Sequence, residues 1–421
     1  MNRLQGTVLV LGLLLPAAAM FGASGLNSDE HVLLYPALGR HVSGGWELQL
    51  HGLVYEPGRH TLMAAALRKA LGIHKDDLTA AERQIFRQRA EYFLVDDERG
   101  KSLTLELGAQ SVALGTSEAN GHFQALAVIP SAALPASTTE AKPGTLPARL
   151  VERKGGHRDI ELRLVLLGDS GVSVISDIDD TIKISQVRDK QALVQNTFCR
   201  PFQPVPGMAA VYQRWATEGA QFHYVTASPW QLYVPLSEFV LSNGFPTGTF
   251  HMKSFRAKDS TFLALMKSPE RYKPPVIEEL FRQFPNRRFV LVGDSGEKDP
   301  EIYGELARKH PKQVIQIVIR DVTDEPSTSA RYRKAFRDLA EGTWQVFQKP
   351  ESLKWNATRT RARREDREQG ANQLLNTLTV RYWSLSNNLQ NNWFWRSAGA
   401  PSSLAPPREI PREPVPFKNA Q

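Results

Sequence analysis

The stretch VSVISDIDDT, Val172 to Thr181, decides the fold of this chain. A mostly apolar run leads there into two aspartates separated by one residue, Asp177 and Asp179. Three more segments follow in order: YVTAS at 224–228, Lys273, and GDSGEKD at 293–299. If the apolar runs before these segments are neighbouring parallel strands, their carboxyl ends converge where open α/β sheets bind ligands. We therefore predict that the four segments form one site, of a kind suited to phosphoryl transfer.

The residues from 170 onward predict an α/β fold with a doubly wound parallel sheet. Short continuous apolar runs alternate there with helical segments, as expected for strands buried on both faces and covered by helices. These runs lie at 172–176, 222–226, 289–292 and 314–319.

Upstream of residue 168 the pattern predicts a β-rich, sandwich-like domain. Apolar and polar residues alternate there in four segments, which is the period of half-buried strands. The segments lie at 46–56, 103–107, 123–129 and 160–166. Thr79 and Glu82 have the spacing of a capping box, which predicts a helical insertion after the first of these strands.

The chain is longer than one hydrophobic core usually supports, since it has 421 residues. We predict four parts. They are a signal peptide at 1–25, the β-rich domain at 28–168, the phosphoryl-transfer domain at 170–349, and a basic helical and Pro-rich unfolded tail at 350–421.

The first 25 residues predict export. Arg3 precedes an apolar run at 7–20, and small residues follow it, which is the pattern of a secretory signal peptide. The run is short for a membrane span, so an uncleaved anchor is the weaker alternative. We expect a periplasmic protein.

Cysteine usage excludes two classes of site. Cys199 is the single cysteine, so neither an intramolecular disulfide nor a Cys-based zinc site can form. We expect Cys199 to be a buried small apolar residue.

The tail carries much of the positive charge. From Glu351 to Gln421 there are eleven Lys and Arg against six Asp and Glu, so this segment contributes +5 to the net charge of +8. Its apolar residues between 375 and 393 recur at helical spacing. Such a helix either contacts an anionic membrane surface or packs onto the phosphoryl-transfer domain. We favour packing, because its polar face is mostly uncharged, and we expect no nucleic-acid partner, because no recognition module accompanies the basic run.

The residue types at the four segments supply what phosphoryl transfer needs. Asp177 can attack phosphorus, while Asp179 can protonate the leaving oxygen and later accept a proton from water. The Thr226 hydroxyl, with Ser228 beside it, and the Lys273 ammonium can hold the phosphate oxygens. Lys258 and Lys267 compete with Lys273 for this role.

Carboxylates beside a phosphate need a compensating cation. Two like charges about 4 Å apart repel by roughly 4 kcal/mol at an effective dielectric near 20. Oxygen ligands without a Cys or His cluster favour Mg²⁺ over Zn²⁺. We predict Asp177, Asp294 and Asp299 as side-chain ligands.

An aspartate pair alone has simpler explanations, such as a solvated loop or a calcium site. A calcium loop of the EF-hand type that begins at Asp177 is excluded, since Ile182 replaces the glycine and Arg188 the final glutamate. His251, Lys253 and Arg256 are candidates for holding a substrate head group, and a solvated strand edge is an equal alternative.

The segments DIDDT, YVTAS, a lysine and GDSGEKD resemble motifs one to four of the haloacid-dehalogenase (HAD) superfamily of aspartate-nucleophile phosphatases. The longer runs SDIDDTIKIS, YVTASPWQLY, FPTGTFHMKSFR and FVLVGDSGEKDPEIYGELA resemble actin-patch-protein-type phosphatidate phosphatases, which are relatives of the lipins. This resemblance extends over about Val172 to Val322.

The resemblance implies a role for each matching residue. It makes Asp177 the nucleophile and Asp179 the acid and base, with a further contact from the Asp179 backbone carbonyl to Mg²⁺. It also implies phosphate ligands at Thr226 and Lys273, and metal ligation by Asp294 with Asp299 beside it. The family's usual histidine beside the third-motif lysine is replaced here by Tyr272.

We therefore expect a Mg²⁺-dependent phosphatase of lipid metabolism that hydrolyses phosphatidate to diacylglycerol and phosphate. One alternative is an exported phosphatase for a soluble phosphomonoester or a phosphoprotein. Another is a non-catalytic scaffold that binds a membrane or a partner. The short interval between the first two motifs leaves no room for a large cap domain, which suits a membrane-held substrate.

Overall fold

The computed structural model describes residues 24–58, 61–134, 144–152, 155–254, 269–353 and 355. Its first nine strands pair into one sheet, in which β2 and β9 are parallel and the other pairs are antiparallel. These strands are β1 (His31–Leu34), β2 (Ala37–Val42), β3 (Gly45–Glu56), β4 (Asp96–Asp97), β5 (Ser102–Leu107), β6 (Gln110–Thr116), β7 (His122–Ile129), β8 (Gly144–Val151) and β9 (His157–Leu167).

The four strands predicted from alternation correspond to β3, β5, β7 and β9. The prediction was a sandwich-like arrangement, whereas hydrogen bonding joins all nine strands into a single sheet. Every second residue of a strand faces the same side, so Leu48, Leu105 and Leu164 bury their side chains in one apolar cluster.

Two helices follow β3: α1 (Thr61–Ala70) and α2 (Ala80–Glu91). The predicted capping box is confirmed, because the Thr79 side chain accepts from the Glu82 N–H and the Glu82 carboxylate accepts from the Thr79 N–H. Phe86, Arg89 and Ala90 form the buried face of α2.

Six further strands form a second sheet in which every pair is parallel. The strands are β10 (Gly171–Ser176), β11 (Gln221–Pro229), β12 (Gly248–Lys253), β13 (Arg287–Asp294), β14 (Val314–Arg320) and β15 (Trp344–Phe347). The helices between them are α3 (Lys190–Phe198), α4 (Met208–Thr217), α5 (Tyr233–Ser242), α6 (Pro269–Gln283), α7 (Asp299–Lys309) and α8 (Ala330–Ala335). The predicted α/β class with a parallel sheet is confirmed.

The order of the second sheet is β12-β11-β10-β13-β14-β15. The chain builds outward from β10 in one direction, then returns and builds outward from β10 in the other. Such a reversal leaves a crevice at the carboxyl ends of the central strands, where ligands bind in open α/β sheets. The first predicted motif directly follows β10, the second forms the end of β11, and the fourth begins at the end of β13.

Apolar side chains cover both faces of this sheet. On one face Val174 and Tyr224 pack with Trp215 of α4, and on the other Ile175 and Val225 pack with Phe281 of α6. All six side chains are buried. This two-sided burial explains why the strands appear in the sequence as continuous apolar runs.

Two edge strands were not predicted, β12 and β15, because each has a neighbour on one side only and neither is a long buried run.

Cys199 is buried and unpaired, as predicted, and burial raises the pKa of its thiol to about 11. Among the described residues, no helix has the length and apolar character needed to cross a membrane.

The predicted signal peptide lies almost entirely outside the described residues, and so does the tail beyond Trp355. Both stay predictions. Trp355 itself stacks on Trp215 of α4, with 4.6 Å between the ring centroids.

Candidate active site

The loop after β10 places the first two aspartates. The Asp177 N–H donates to the carbonyl oxygen of Val292 over 2.9 Å, which extends the pairing of β10 with β13 by one residue. The N–H groups of Ile182 and Lys183 then both donate to the Ile178 carbonyl, so the chain turns back at once. Asp177 and Asp179 therefore leave the sheet edge in different directions.

Asp180 stabilises this turn. Its φ of +55° lies in the left-handed region, which aspartate tolerates better than most residues. Its carboxylate accepts hydrogen bonds from the backbone N–H groups of Ser185, Gln186 and Val187, at 2.7 to 2.9 Å. All of these bonds lie within the loop, so Asp180 shapes it.

Asp294 is the last residue of β13 and Asp299 is the first residue of α7, with a short loop between them. One Asp294 oxygen, Oδ1, accepts from the Gly296 N–H over 2.6 Å and from the Glu297 N–H over 3.2 Å. The other, Oδ2, is buried and has no hydrogen-bond partner. Asp299 Oδ2 accepts from the Asp294 N–H over 3.3 Å.

Glycine is required at position 293 for this arrangement. A Cβ atom there would lie 2.2 Å from Asp299 Oδ2, closer than real Cβ contacts allow. The missing side chain therefore lets the Asp299 carboxylate approach the end of β13.

Three buried carboxylates converge at this edge of the sheet. Oxygen atoms of Asp177, Asp294 and Asp299 all lie within 4.8 Å of one another. Their side chains are almost wholly shielded from water. Burial raises the pKa of Asp177 well above its usual range, although Lys273 acts against this. Burial, followed by the charges of Asp299 and Asp177, likewise raises the pKa of Asp294.

Lys273 is the cation in contact with this group. It lies in the first turns of α6 and is fully buried. Its Nζ is 2.6 Å from Asp299 Oδ1, 3.0 Å from Asp177 Oδ1 and 3.4 Å from Glu297 Oε2. Burial alone would lower the pKa of Lys273, but Asp177 and Asp299 raise it by more, so the side chain stays charged.

Asp179 has different neighbours, and its side chain is not part of the carboxylate group. Its Oδ1 accepts from Ser185 Oγ over 2.6 Å and lies 2.7 Å from Lys183 Nζ. Its Oδ2 accepts from Ser228 Oγ over 3.1 Å and from Thr226 Oγ1 over 3.4 Å. The contact predicted for its backbone carbonyl with a metal stays a prediction.

These donors set the charge of Asp179. Burial alone would raise its pKa, but Lys183, with Ser185 and Ser228, lowers the pKa below the usual value. An ionised carboxylate accepts a proton and has none to donate. The arrangement therefore suits the base half of the predicted acid and base role.

The structure brings together seven of the eight side chains predicted for the site, in two adjoining groups. Asp177, Lys273, Asp294 and Asp299 form one, and Asp179, Thr226 and Ser228 form the other. Arg256 lies outside the described residues, as do the competing lysines at 258 and 267.

His251 and Lys253 were considered for a substrate head group. His251 is bonded within the sheet instead, because its Nε2 lies 2.9 Å from Thr249 Oγ1. Burial lowers the pKa of His251 to about 4, so the ring is neutral. A neutral imidazole that is held this way is a weak anion ligand.

The sequence analysis missed Lys183, Ser185 and Glu297, which contact the predicted residues directly. A signal for Lys183 was present. Lys183 stands between Ile182 and Ile184, just after the first motif. A lysine that is buried at such a position needs a partner of opposite charge. Glu297 lies inside GDSGEKD and has no distinct signal of its own.

Comparison with known proteins finds similar sequences for the part of the chain that contains this site. Residues 172–321 match a family described as phosphatidate phosphatase APP1, catalytic domain. A similar protein is phosphatidate phosphatase APP1 of Saccharomyces cerevisiae, with 30% identity over 195 residues, or 45% of this chain and 33% of that protein. An uncharacterized protein of Schizosaccharomyces pombe is also 30% identical, over 38% of this chain and 27% of its own length.

The chain thus spans a third or less of the length of these two relatives. The matched segment begins in β10 and ends directly after β14, so it contains both groups of side chains described above. The resemblance that the four motifs indicated is confirmed, because residues 172–321 match the phosphatidate phosphatase APP1 catalytic-domain family and the chain is 30% identical to the yeast protein over 195 residues.

Proposed function

We propose that this chain is a Mg²⁺-dependent phosphatase of the HAD type that hydrolyses phosphatidate to diacylglycerol and phosphate. One observation carries the proposal. A buried group of three carboxylates and Lys273 adjoins a fourth carboxylate, Asp179, that is held ionised by hydroxyl and ammonium donors. The reaction needs a nucleophile, a proton acceptor and a site for a cation, and these two groups supply all three.

The side chains fit a hard divalent cation. Asp177, Asp294 and Asp299 offer only oxygen atoms, and Asp294 Oδ2 is a buried acceptor with no partner. Burying three carboxylates against one ammonium is unfavourable unless more positive charge is supplied. Mg²⁺ prefers oxygen ligands and a mixture of carboxylates and water, so these residues would hold it. When bound, the ion would neutralise charge on the phosphate and lower the pKa of Asp177.

Asp177 is the nucleophile in this proposal. Its oxygen attacks phosphorus, the bond from phosphorus to the glycerol oxygen breaks, and an aspartyl-phosphate forms on Asp177. Thr181 Oγ1 donates to Asp177 Oδ2 over 3.1 Å and Lys273 lies beside Oδ1, so the carboxylate is held in one orientation. A fixed orientation removes much of the entropic cost of the attack.

Asp179 handles the protons. In the first step it enters protonated and gives the proton to the leaving oxygen. In the second step water attacks the phosphorus of the aspartyl-phosphate, Asp179 takes a proton from that water, and the bond from phosphorus to the Asp177 oxygen breaks to release phosphate. Its lowered pKa in the resting site suits the second step. A bound phosphate would raise that pKa, because like charges favour the neutral form, and this prepares Asp179 for the first step.

Phosphatidate as substrate rests on similarity. The matched family and the yeast relative are both named for phosphatidate phosphatase. The access to the site agrees with a bulky substrate, because the described chain between the first two motifs contains the helices α3 and α4 and no separate cap domain.

The test uses the purified full chain with three substrates. They are phosphatidate in detergent micelles, glycerol 3-phosphate and p-nitrophenyl phosphate, each with Mg²⁺ or with EDTA. We expect phosphate release from phosphatidate with Mg²⁺, loss of release with EDTA, and loss in Asp177→Asn. The control is Asp169→Asn, at an exposed aspartate before β10.

Release from the soluble esters alone would contradict phosphatidate as the substrate, but it would still support phosphatase activity. No release from any of the three would contradict the enzyme. Equal release by Asp177→Asn and by the wild type would remove Asp177 from the mechanism.

A further inference from the structure

Lys183 is a buried lysine whose backbone is fixed on two sides. Its N–H donates to the Ile178 carbonyl over 3.0 Å, and its own carbonyl accepts from the Asp180 N–H over 2.7 Å. On the other side it forms an isolated bridge with Pro204. The side chain therefore starts from a defined position, and only 2% of its surface is exposed.

The Lys183 ammonium points at the proposed acid and base. Its Nζ lies 2.7 Å from Asp179 Oδ1 and also donates to Ser185 Oγ. Ser185 Oγ in turn donates to the same Asp179 oxygen over 2.6 Å. Asp179 is thus held on one side by Lys183 and Ser185, and on the other by the hydroxyls of Thr226 and Ser228 near the end of β11.

An aromatic ring supports the ammonium away from Asp179. Lys183 Nζ lies 4.9 Å from the ring centroid of Phe202, within the range of a cation–π contact. Its donors are therefore directed at a carboxylate, a hydroxyl and a ring face. A lysine in this setting cannot turn aside without leaving its charge buried and unpaired, which is costly.

The same ring contacts a residue from the N-terminal part of the chain. The guanidinium carbon of Arg89, in α2, lies 3.6 Å from the Phe202 centroid. Arg89 also donates from Nη1 to the Thr197 carbonyl over 2.7 Å, in the last turn of α3. This is a favourable place for a cation, because helix carbonyls are unpaired there and the helix dipole is negative.

We propose that Lys183 is a positioning residue that fixes the Asp179 carboxylate, and that Arg89 and Phe202 hold Lys183 in place. This rests on the proposed function, since it assigns Asp179 the proton transfers. The contacts give helix α2 a part in catalysis although no residue of α2 touches the carboxylates. They also give a role to a segment that the matched family model does not include.

The first test is a double-mutant cycle between Lys183 and Asp179. Lys183→Met keeps the length of the side chain and removes the charge. We expect kcat to fall by about 10- to 100-fold, the range usual for residues that orient a functional group, with KM within about twofold. Lys190→Met, at an exposed lysine of α3, is the control and should keep the wild-type kcat.

The cycle separates positioning from general support of the fold. In an Asp179→Asn background, Lys183→Met should change kcat by less than about twofold, because the group it positions is already gone. A structural role would lower kcat again by the same factor in that background. If Lys183→Met does not fold, Ser185→Ala removes the hydroxyl between the two side chains and takes its place in the cycle.

The second test follows the contact to α2. Phe202→Leu and Arg89→Met should each lower kcat by about 3- to 10-fold, and neither should lower it further in the Lys183→Met background. Arg87→Met, on the exposed face of the same helix, is the matched control. Thermal unfolding of each variant shows whether it is folded.

Five outcomes decide the matter. Loss of kcat that is non-additive with Asp179→Asn supports the positioning role. A folded Lys183→Met with wild-type kcat overturns it, and so does an additive loss. Wild-type kcat in folded Phe202→Leu and Arg89→Met overturns the part assigned to α2. A wild type without phosphatase activity overturns the proposed function instead, and is recognised before any variant is compared.

Discussion

Asp177 and Asp179 are two residues apart, yet their surroundings are opposite. Asp177 lies among carboxylates, with Lys273 as its cation, and burial raises its pKa. Asp179 lies among donors, and Lys183 with its neighbouring hydroxyls lowers its pKa despite burial. The same side chain can therefore serve two roles, because the environment sets which form is stable.

The tight turn at Asp180 separates the two environments. It directs Asp177 toward the strand β13 side and Asp179 toward the strand β11 side. One side is short of positive charge and suits a cation. The other has enough donors and suits proton exchange.

Of the changes that test this contrast, removal of the nucleophile should have the largest effect on kcat. Asp177→Asn should lower kcat by about 10⁴-fold or more, since an amide cannot form the aspartyl-phosphate. Phosphate release from p-nitrophenyl phosphate at high enzyme concentration measures it. A loss as small as tenfold would mean that another group attacks phosphorus.

Removing the cation should come next. EDTA, or Asp294→Asn with Mg²⁺ present, should lower kcat by about 10³-fold, equal to several kcal/mol of transition-state stabilisation. Mg²⁺ should also raise the melting temperature of the wild type, because a ligand that binds only the folded state stabilises it. The same Mg²⁺ titration should leave the melting temperature of Asp294→Asn unchanged, and a shift equal to that of the wild type would contradict the assignment.

Lys273→Met should lower kcat by about 10²-fold, as expected when one preorganised charge is lost. It should also destabilise the protein by about 3–5 kcal/mol when Mg²⁺ is absent, because the carboxylates lose their only contacting cation among the described residues. Urea unfolding with EDTA measures this. The control is Lys298→Met, at an exposed lysine that is not part of the carboxylate group.

On the Asp179 side, single hydroxyls should matter less. Thr226→Val and Ser228→Ala should each lower kcat by about fivefold, since each removes one hydrogen bond worth about 1 kcal/mol. The steady-state kinetics should show KM raised as well if the hydroxyls also hold the phosphate. Unchanged kinetics in both variants would leave Asp179 positioned from the Lys183 side alone.

The smallest effect is on the stability of the metal-free protein, and its sign should differ between the two aspartates. The folded-state pKa of Asp177 is raised, so its ionisation weakens folding at neutral pH, and that penalty disappears as pH falls. Asp177→Asn should therefore raise the melting temperature by a few °C at pH 7, with less gain at pH 5.

For Asp179 the folded-state pKa is lowered, so ionisation stabilises the fold above the usual carboxyl pKa near 4 and is lost only as pH falls below it. Asp179→Asn should lower the melting temperature at pH 7 and at pH 5. Thermal scans of both variants in EDTA test the pair. The same direction of shift in both would contradict the contrast between them.

Much of the fold followed from patterns within short segments. The central strands β10, β11, β13 and β14 were predicted because they are buried on both faces and so are continuously apolar. The edge strand β12 was missed, because burial on fewer sides leaves a weaker pattern. The nine-stranded sheet was predicted only in part, since pairing such as that of β2 with β9 joins residues more than a hundred positions apart.

The candidate site shows the same division. Converging strand ends predicted that Asp177 and Asp294 would be close. The contacts of Lys273 with the carboxylates were seen only in the structure, because α6 folds back over the sheet and directs this side chain inward, whereas the competing lysines lie outside the described residues. The contacts of Asp179 with Lys183 depend on the left-handed conformation of Asp180, which no periodicity reveals.

The sequence alone determined which chemical groups stand at the ends of which strands, because apolar periodicity and motif spacing are local properties of the chain. The tertiary structure decided that Asp177 lies among other carboxylates with Lys273, and that Asp179 lies among Lys183 and several hydroxyl donors. Those contacts depend on loop conformation and on burial by distant segments, including α2. Burial strengthens a modest charge interaction until it sets the ionisation of a side chain.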